Sequence, residues 1–289
     1  MILEFTKMNG LGNDFILIDD RTGELEFTPD AVAWFCDRHF GIGADGLILV
    51  RPATTGTADY YMHYFNADGS LAEMCGNGAR CFAKYVVDHG LVPADATSLV
   101  VETLGGLRPV TFTRCEDGTL AEATVDMGAP VFDPARIPTT LHGDRIVDVP
   151  VETPEGTVLV TAVSMGNPHA IIWVDDVDEA PVETVGPFVE RHAAFPNATN
   201  VEFAQVVDEG TVRLRVWERG VGETLACGTG ASATGVAAAA SGRTGRQTTI
   251  ALPGGDLRIS WADDDHVYMT GSASVSFTGS IDLGEDSAE

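Results

Sequence analysis

The sequence predicts an α+β protein of two pseudo-symmetric domains, each a curved, mostly antiparallel sheet wrapped around a central helix. Three observations carry that expectation. Short segments of alternating polar and apolar residues recur along the chain, two of its three clear helical segments open on one five-residue pattern, and 289 residues at 44% hydrophobic composition suffice for two ordinary cores.

The alternating segments fall at residues 14–19, 60–65, 99–103, 157–163, 169–174, 212–217 and 256–261, where a period of two suits half-buried strands. A first helix is expected with Thr28 as its cap and Pro29 in its first turn, running to about residue 38. A second is expected over 76–89, where Ala79, Phe82, Ala83, Val86 and Val87 line one face and Gly90 marks the stop. A third, rich in alanine, is expected over 228–241, stopped by Gly242.

The second and third helices each begin just after a cysteine. Cys75-Gly76-Asn77-Gly78-Ala79 and Cys227-Gly228-Thr229-Gly230-Ala231 are the same pattern 152 residues apart. The repeat predicts two similar halves, residues 1–120 with 272–289 carrying Cys75 and residues 121–271 carrying Cys227.

Composition narrows the function classes. A net charge of −26, with no basic cluster, repels a phosphate backbone and argues against nucleic acid. Only Lys7 and Lys84 are lysines, a balance that suits solubility in high salt or follows from GC-driven replacement of Lys by Arg. No run of 18 apolar residues occurs, since 225–240 is broken by Gly228, Gly230 and Gly235, so no membrane span is expected. Met1-Ile2-Leu3-Glu4-Phe5-Thr6-Lys7 does not read as a secretory leader, and a cytoplasmic location is expected. Five cysteines, an odd number, read as reduced thiols. Cys75 and Cys81 are about 9 Å apart along one helix, beyond disulfide reach. Cys36, Cys81 and Cys115 read as small core residues.

The first turn of a helix exposes backbone N–H groups and partial positive charge, which favour an anion. A cysteine just ahead of that turn is expected to ionise below the free value of about 8.5. Gly76, Gly78, Gly228 and Gly230 carry no side chain to keep a ligand off the backbone. Two such thiols around one carboxylate suit inversion at an α-carbon, with a base on one face and an acid on the other. Amides at the carboxylate would stabilise the enediolate-like charge, and no pyridoxal or metal is required.

Beyond the two cysteine motifs, the chain contains Lys7-Met8-Asn9-Gly10-Leu11-Gly12-Asn13-Asp14-Phe15, Phe65-Asn66-Ala67-Asp68-Gly69-Ser70, Met165-Gly166-Asn167-Pro168-His169, Asn200 and Glu218-Arg219-Gly220. In type and order these motifs resemble the diaminopimelate epimerase family over most of the chain. The resemblance implies that Cys75 and Cys227 are the catalytic pair, Cys227 accepting and Cys75 donating the proton in the LL-to-meso direction. It implies that Gly76, Asn77, Gly228 and Thr229 hold the reacting α-carboxylate, and that Asn13, Asn66, Asn167, Asn200, Glu218 and Arg219 recognise the substrate. It further implies that His169 and Glu218 tune the thiols, that no cofactor is used, that the chain forms a homodimer, and that the product enters lysine or peptidoglycan precursor synthesis. One departure is Gly46, where some bacterial members carry a substrate-contacting glutamine.

Two other functions compete. A proline or hydroxyproline racemase-like enzyme shares the two-thiol chemistry, but its one-centre substrate leaves Asn66, Asn167, Asn200 and Arg219 in excess. A carboxylate-binding redox sensor would use the thiols without turnover. Blander readings make Asn13, Asn66 and Asn200 turn residues, His169 a core histidine and Glu218–Arg219 a surface ion pair. Residues 41–46 fit G-x-G-x-x-G but precede a strand, the reverse of the dinucleotide order, and 228–233 lack the later acidic residue.

Overall fold

The computed structural model describes residues 2–283, and the chain divides into two compact units, Met1–Val125 with Gly271–Glu289, and Asp126–Thr270. Of the first half expected from the sequence, residues 1 and 284–289 lie outside the described residues.

The first unit contains β1 (Ile2–Gly10), β2 (Asn13–Asp19), α1 (Pro29–Cys36), β3 (Gly46–Pro52), β4 (Tyr60–Asn66), α2 (Gly76–Asp88), β5 (Ser98–Thr103), β6 (Gly106–Arg114) and β7 (Leu120–Asp126). The second contains β8 (Val149–Thr153), β9 (Gly156–Ser164), β10 (Pro168–Trp173), α3 (Val182–Glu190), β11 (Asn200–Asp208), β12 (Thr211–Glu218), β13 (Gly222–Thr224), α4 (Gly228–Ala240), β14 (Gln247–Leu252), β15 (Gly255–Trp261) and β16 (Val267–Gly271). The chain then returns to the first unit with β17 (Ser274–Asp282), which pairs antiparallel with β1.

Strand pairing repeats between the units step for step. From β17 through β1, β2, β3, β4, β5 and β6 to β7, successive pairs are antiparallel, antiparallel, parallel, antiparallel, parallel, antiparallel and antiparallel. From β8 through β9, β10, β11, β12, β14 and β15 to β16 the order is the same. Each parallel step needs a crossover, and in both units the first carries an outer helix (α1 or α3) and the second a central one (α2 or α4).

The central helices are enclosed. Eleven of 13 residues of α2 and ten of 13 of α4 are buried, so both are helices surrounded by protein, not surface helices with one wet face. Both end in a Schellman turn: Leu91 N–H donates to Val86 O and Gly90 N–H to Val87 O, while Arg243 N–H donates to Ala238 O and Gly242 N–H to Ala239 O. Gly90 (φ +65°) and Gly242 (φ +71°) supply the left-handed residue that this turn requires.

Enclosure dictates the composition of the strands. On β2, Phe15 and Leu17 are as buried as Ile16 and Ile18, because the sheet packs on both faces. Ile16 and Ile18 join Val32 and Phe35 of α1 in an outer core. In the second unit Ala170 and Ile172 meet Val182, Val185 and Val189 of α3 in the same way. Helix α1 begins as expected, with Thr28 Oγ1 accepting from Ala31 N–H (3.2 Å), but ends at Cys36. Asp37 turns extended there, and its carboxylate accepts from His39 and Phe40 N–H. Among the described residues no helix is long and apolar enough to cross a membrane.

The thinness of α4 is a packing requirement. A Cβ on Gly235 would lie 2.9 Å from Ile259 Cγ2, and Ile259 is a buried residue of β15. Gly235→Ala should therefore destabilise by about 1–3 kcal/mol through overpacking, against the gain of about 1 kcal/mol that alanine gives an open helix. Urea unfolding checks the sign.

Candidate active site

Each central helix is capped by its cysteine. Cys75 has extended backbone (φ −138°, ψ 119°) and its sulfur accepts from Gly78 N–H at 3.4 Å. Cys227 does the same (φ −123°, ψ 110°), its sulfur accepting from Gly230 N–H at 3.4 Å. Sulfur thus takes the place of the oxygen that Ser, Thr or Asp would supply at an N-cap, and each thiol lies at the positive end of a helix. Gly76 and Gly228 form the first residues of those helices, and both are buried.

The surroundings of the two caps differ, and sheet register shows how. In the first unit Phe15, Gly46 and Asn66 form one row across β2, β3 and β4. The matching row of the second unit is His169 and Asn200, with Glu218 one position beyond the Val201–Trp217 pair. Two residues further along, Ile48 of β3 corresponds to Glu202 of β11. Phe15, Ile48 and Glu202 face the first turn of the central helix. A Cβ on Gly78 would meet Ile48 Cδ1 at 3.3 Å and Phe15 Cζ at 3.6 Å, whereas one on Gly230 would meet Glu202 Oε1 at 2.8 Å.

Around Cys75 the candidates Asn13 and Asn77 come together. Asn77 Nδ2 donates to Asn13 Oδ1 (3.1 Å), and the Cys75 thiol approaches the same oxygen at 3.7 Å. Asn13 Nδ2 in turn donates to Asp45 Oδ2 (2.8 Å), which anchors the amide. Beneath it Asp14 is bridged by Lys7 (2.6 Å) and Arg38 (2.7 Å), and the Lys7 ammonium also donates to Gly43 O. Burial alone would raise the Asp14 carboxyl, but Arg38 and Lys7 outweigh it and hold its pKa at about 2. Asn66 ends β4 and donates to Ser70 Oγ (3.0 Å).

Around Cys227, Thr229 Oγ1 lies 3.5 Å from the sulfur and accepts from Asn167 Nδ2 at 3.3 Å. His169 is fully buried between Asn167 Oδ1 (3.0 Å from Nε2) and Glu202 Oε1 (2.6 Å from Nδ1). Burial raises the pKa of Glu218, against the Thr224 hydroxyl (2.6 Å) and the Cys227 thiol, which hydrogen-bond it and hold it down. Asn200 braces backbone, donating to Pro168 O and accepting from Arg219 N–H (3.0 Å each). The Arg219 side chain is exposed and donates to Asn197 O (3.2 Å), so Glu218 and Arg219 form no ion pair.

Two expectations need correction, and the departure at Gly46 has a steric reason. The lowered thiol expected from helix placement does not describe Cys227: burial, then the Glu218 and Glu202 carboxylates, push it well above the usual thiol range, against donation from Thr229 and Gly230. Cys115 is exposed in the turn after β6, not a core residue, whereas Cys36 and Cys81 are buried and desolvation pushes both up to about 12. Gly46 has no room for a longer residue, since a Cβ there would lie 2.6 Å from both Phe65 O and the Tyr64 ring. None of the five cysteines is in a disulfide.

Reading the sequence missed Asp14, Asp45 and Glu202 as site residues. Asp14 lies within the segment 7–15 and Asp45 beside Gly46, so proximity to those positions is the signal for both. Glu202 gave no signal: its burial appears only once β11 pairs with β10.

Solved structures of distant sequence share this fold. A hydroxyproline epimerase from Agrobacterium vitis, solved with trans-4-hydroxy-L-proline, superposes with a TM-score of 0.72 at 15% identity, covering 99% of this chain and 94% of that one. A PhzF-family phenazine biosynthesis protein from Bacillus anthracis gives 0.71 at 17% identity, covering 98% and 100%. At such identities the likeness concerns the fold alone. Sequence is more specific: the family model for diaminopimelate epimerase matches residues 5–132 and 161–276. Diaminopimelate epimerase of Synechococcus elongatus is 49% identical over 286 residues, covering 98% of this chain and 99% of the relative. That of Moorella thermoacetica is 50% identical over 287 residues, covering 97% and 100%. The chain belongs to the diaminopimelate epimerase family.

Two outcomes follow from the site's electrostatics. Glu218→Gln removes a carboxylate that disfavours the Cys227 thiolate, so alkylation of Cys227 by iodoacetamide should begin at lower pH, by on the order of one unit. Asp14, with its folded pKa depressed, stabilises the protein above about pH 4 and loses that contribution as pH falls towards 2. The stability gap between the unmodified protein and Asp14→Asn, about 2 kcal/mol or more at pH 6, should shrink by about 2 kcal/mol at pH 2 in urea titrations.

Proposed function

We propose that this chain interconverts LL- and meso-diaminopimelate by proton transfer at the α-carbon between two thiols. What carries the reading is the repeated cap: in a member of this family, each unit presents a cysteine as N-cap of its central helix, with an identical 3.4 Å N–H···S bond.

Inversion requires that a proton leave one face of the carbon and return to the other. In the LL-to-meso direction Cys227 takes the proton as thiolate and Cys75 delivers one as thiol; the reverse direction exchanges the roles. A Cys227 thiol with a raised pKa is a strong base once ionised, which suits a weakly acidic α-proton. The first-turn amides at Gly76, Asn77, Gly228 and Thr229 have no intrahelical carbonyl to bond, so they are suited to the α-carboxylate and to charge developing on it. Asn13, Asn66, Asn167, Asn200, Glu218 and Arg219 form the recognition set, and His169 with Glu218 tunes the Cys227 side. Because the thiols supply both proton-transfer groups, this step needs neither pyridoxal nor a metal. The reading places a homodimeric enzyme in the cytoplasm, its meso product serving lysine or peptidoglycan precursor synthesis.

The test is isotope exchange. Purified protein in deuterated water, with no added cofactor, should place deuterium at the α-carbon of LL-diaminopimelate and none on proline. Exchange that appears only after pyridoxal phosphate is added would end the proposal. Cys75→Ser and Cys227→Ser should each slow epimerisation by about 10²- to 10⁴-fold, with substrate affinity changed only a few-fold by calorimetry.

A further inference from the structure

The two caps are built from corresponding residues but wired in opposite directions. Asn13 and Asn167 each stand two residues before the matched positions Phe15 and His169, and Asn77 and Thr229 each stand two residues after their cysteine. In the first unit Asn13 presents its oxygen to Asn77 and Cys75. In the second Asn167 presents its nitrogen to Thr229.

A carboxylate in each unit accounts for the difference. Asp45 can only accept, so its 2.8 Å contact fixes the Asn13 amide with N–H towards Asp45 and oxygen towards the thiol. The second unit holds a buried pair instead. His169 and Glu202 are both fully buried, with Nδ1 2.6 Å from Oε1, and burial raises the Glu202 carboxyl against the pull of His169. The other ring nitrogen, Nε2, faces Asn167 Oδ1 at 3.0 Å, and because an amide oxygen can only accept, Nε2 is the donor in that contact. The amide must then direct Nδ2 at Thr229 Oγ1, which leaves the Thr229 hydrogen to point at Cys227.

We infer that Glu202 is a positioning residue whose bond to His169 aligns a directed chain of hydrogen bonds, His169 to Asn167 to Thr229, so that it ends with a donor on the Cys227 sulfur. Were His169 free to carry its hydrogen on Nδ1 alone, Asn167 could turn over and draw the Thr229 hydroxyl away from the sulfur. Cys75 thus meets an acceptor, which favours the thiol, while at Cys227 the Thr229 donor favours the thiolate, against the Glu218 carboxylate to which that thiol also bonds. The inference rests on the two-thiol reading for its purpose but not for its test.

The charged or titratable groups facing Cys227 come from three strands: His169 on β10, Glu202 on β11 and Glu218 on β12; α4 contributes none. Two accounts of Glu202 therefore predict opposite signs. If Glu202 acted as a bare anion, Glu202→Leu would lower the pH at which Cys227 is alkylated, as Glu218→Gln does. If it aligns the chain, Glu202→Leu should raise that pH by on the order of one unit. Thr229→Val, which removes the terminal donor, should raise it equally, and the double variant should be no worse than either single one. Iodoacetamide alkylation followed peptide by peptide reads Cys227 without reference to turnover. A downward shift, no shift, or additive shifts in the double variant would each overturn the inference. Nitrogen-15 NMR of the unmodified protein supplies a check that needs no variant: the His169 Nε2 must be protonated, and an unprotonated Nε2 would also overturn it. Loss of deuterium exchange in the unmodified protein would defeat the epimerase reading while leaving these outcomes intact.

Discussion

A first-turn N–H of an α-helix has no carbonyl within the helix to bond, and in this protein sulfur answers that need twice. The Gly78 and Gly230 amides cap onto Cys75 and Cys227, and much else follows from the cost of arranging it. The helix start must be enclosed for its field to be felt, so a sheet is curled around it. A Cβ on residue 230 would strike Glu202 Oε1 at 2.8 Å, and one on residue 78 would press on Ile48 Cδ1 at 3.3 Å, so a bare first turn suits both helices. Enclosure also works against the thiolate. At Cys227 desolvation and two carboxylates outweigh the donors, so that thiol is a reluctant acid and, once ionised, a strong base.

The same strand plan is built twice and furnished differently. Phe15, Ile48, Gly46 and Asn66 in one unit stand where the other has His169, Glu202, Asn200 and Glu218. One thiol therefore sits against hydrocarbon with a charged network behind its asparagine, while the other sits against buried ionisable groups. A symmetric reagent pair would have no preferred proton assignment. The unequal furnishing makes the surroundings of the two thiols chemically distinct, and register makes the difference visible.

Much of this was legible in the sequence where the signal was local. The repeated C-G-[NT]-G-A located both caps, Gly90 and Gly242 marked both Schellman turns, and alternation found β2, β4 and β12. What could not be read depends on distant partners. Helix α3 carries Gly186 and Pro187, which argue against a helix locally; the glycine is there because a Cβ would lie 2.8 Å from the Trp217 ring. Glu202, between Val201 and Phe203, has the pattern of an outward residue on a half-wet strand, yet the central helix covers that face. Cys115 looks like any small core thiol until the turn from β6 to β7 exposes it. The orientation of the Asn13 and Asn167 amides lies beyond any pattern, since it is set by carboxylates on neighbouring strands.

Strand β17 closes the first unit by pairing with β1, and Ile281 and Leu283 pack against its outer core. As the chain emerges from a ribosome, the contiguous second unit is fully extruded before the first receives its last strand. The usual order, in which the amino-terminal domain is completed first, is thus inverted. Until β17 emerges, β1 presents a bare edge to any neighbouring nascent chain, so premature termination near residue 270 would leave a complete second unit tethered to an aggregation-prone first one.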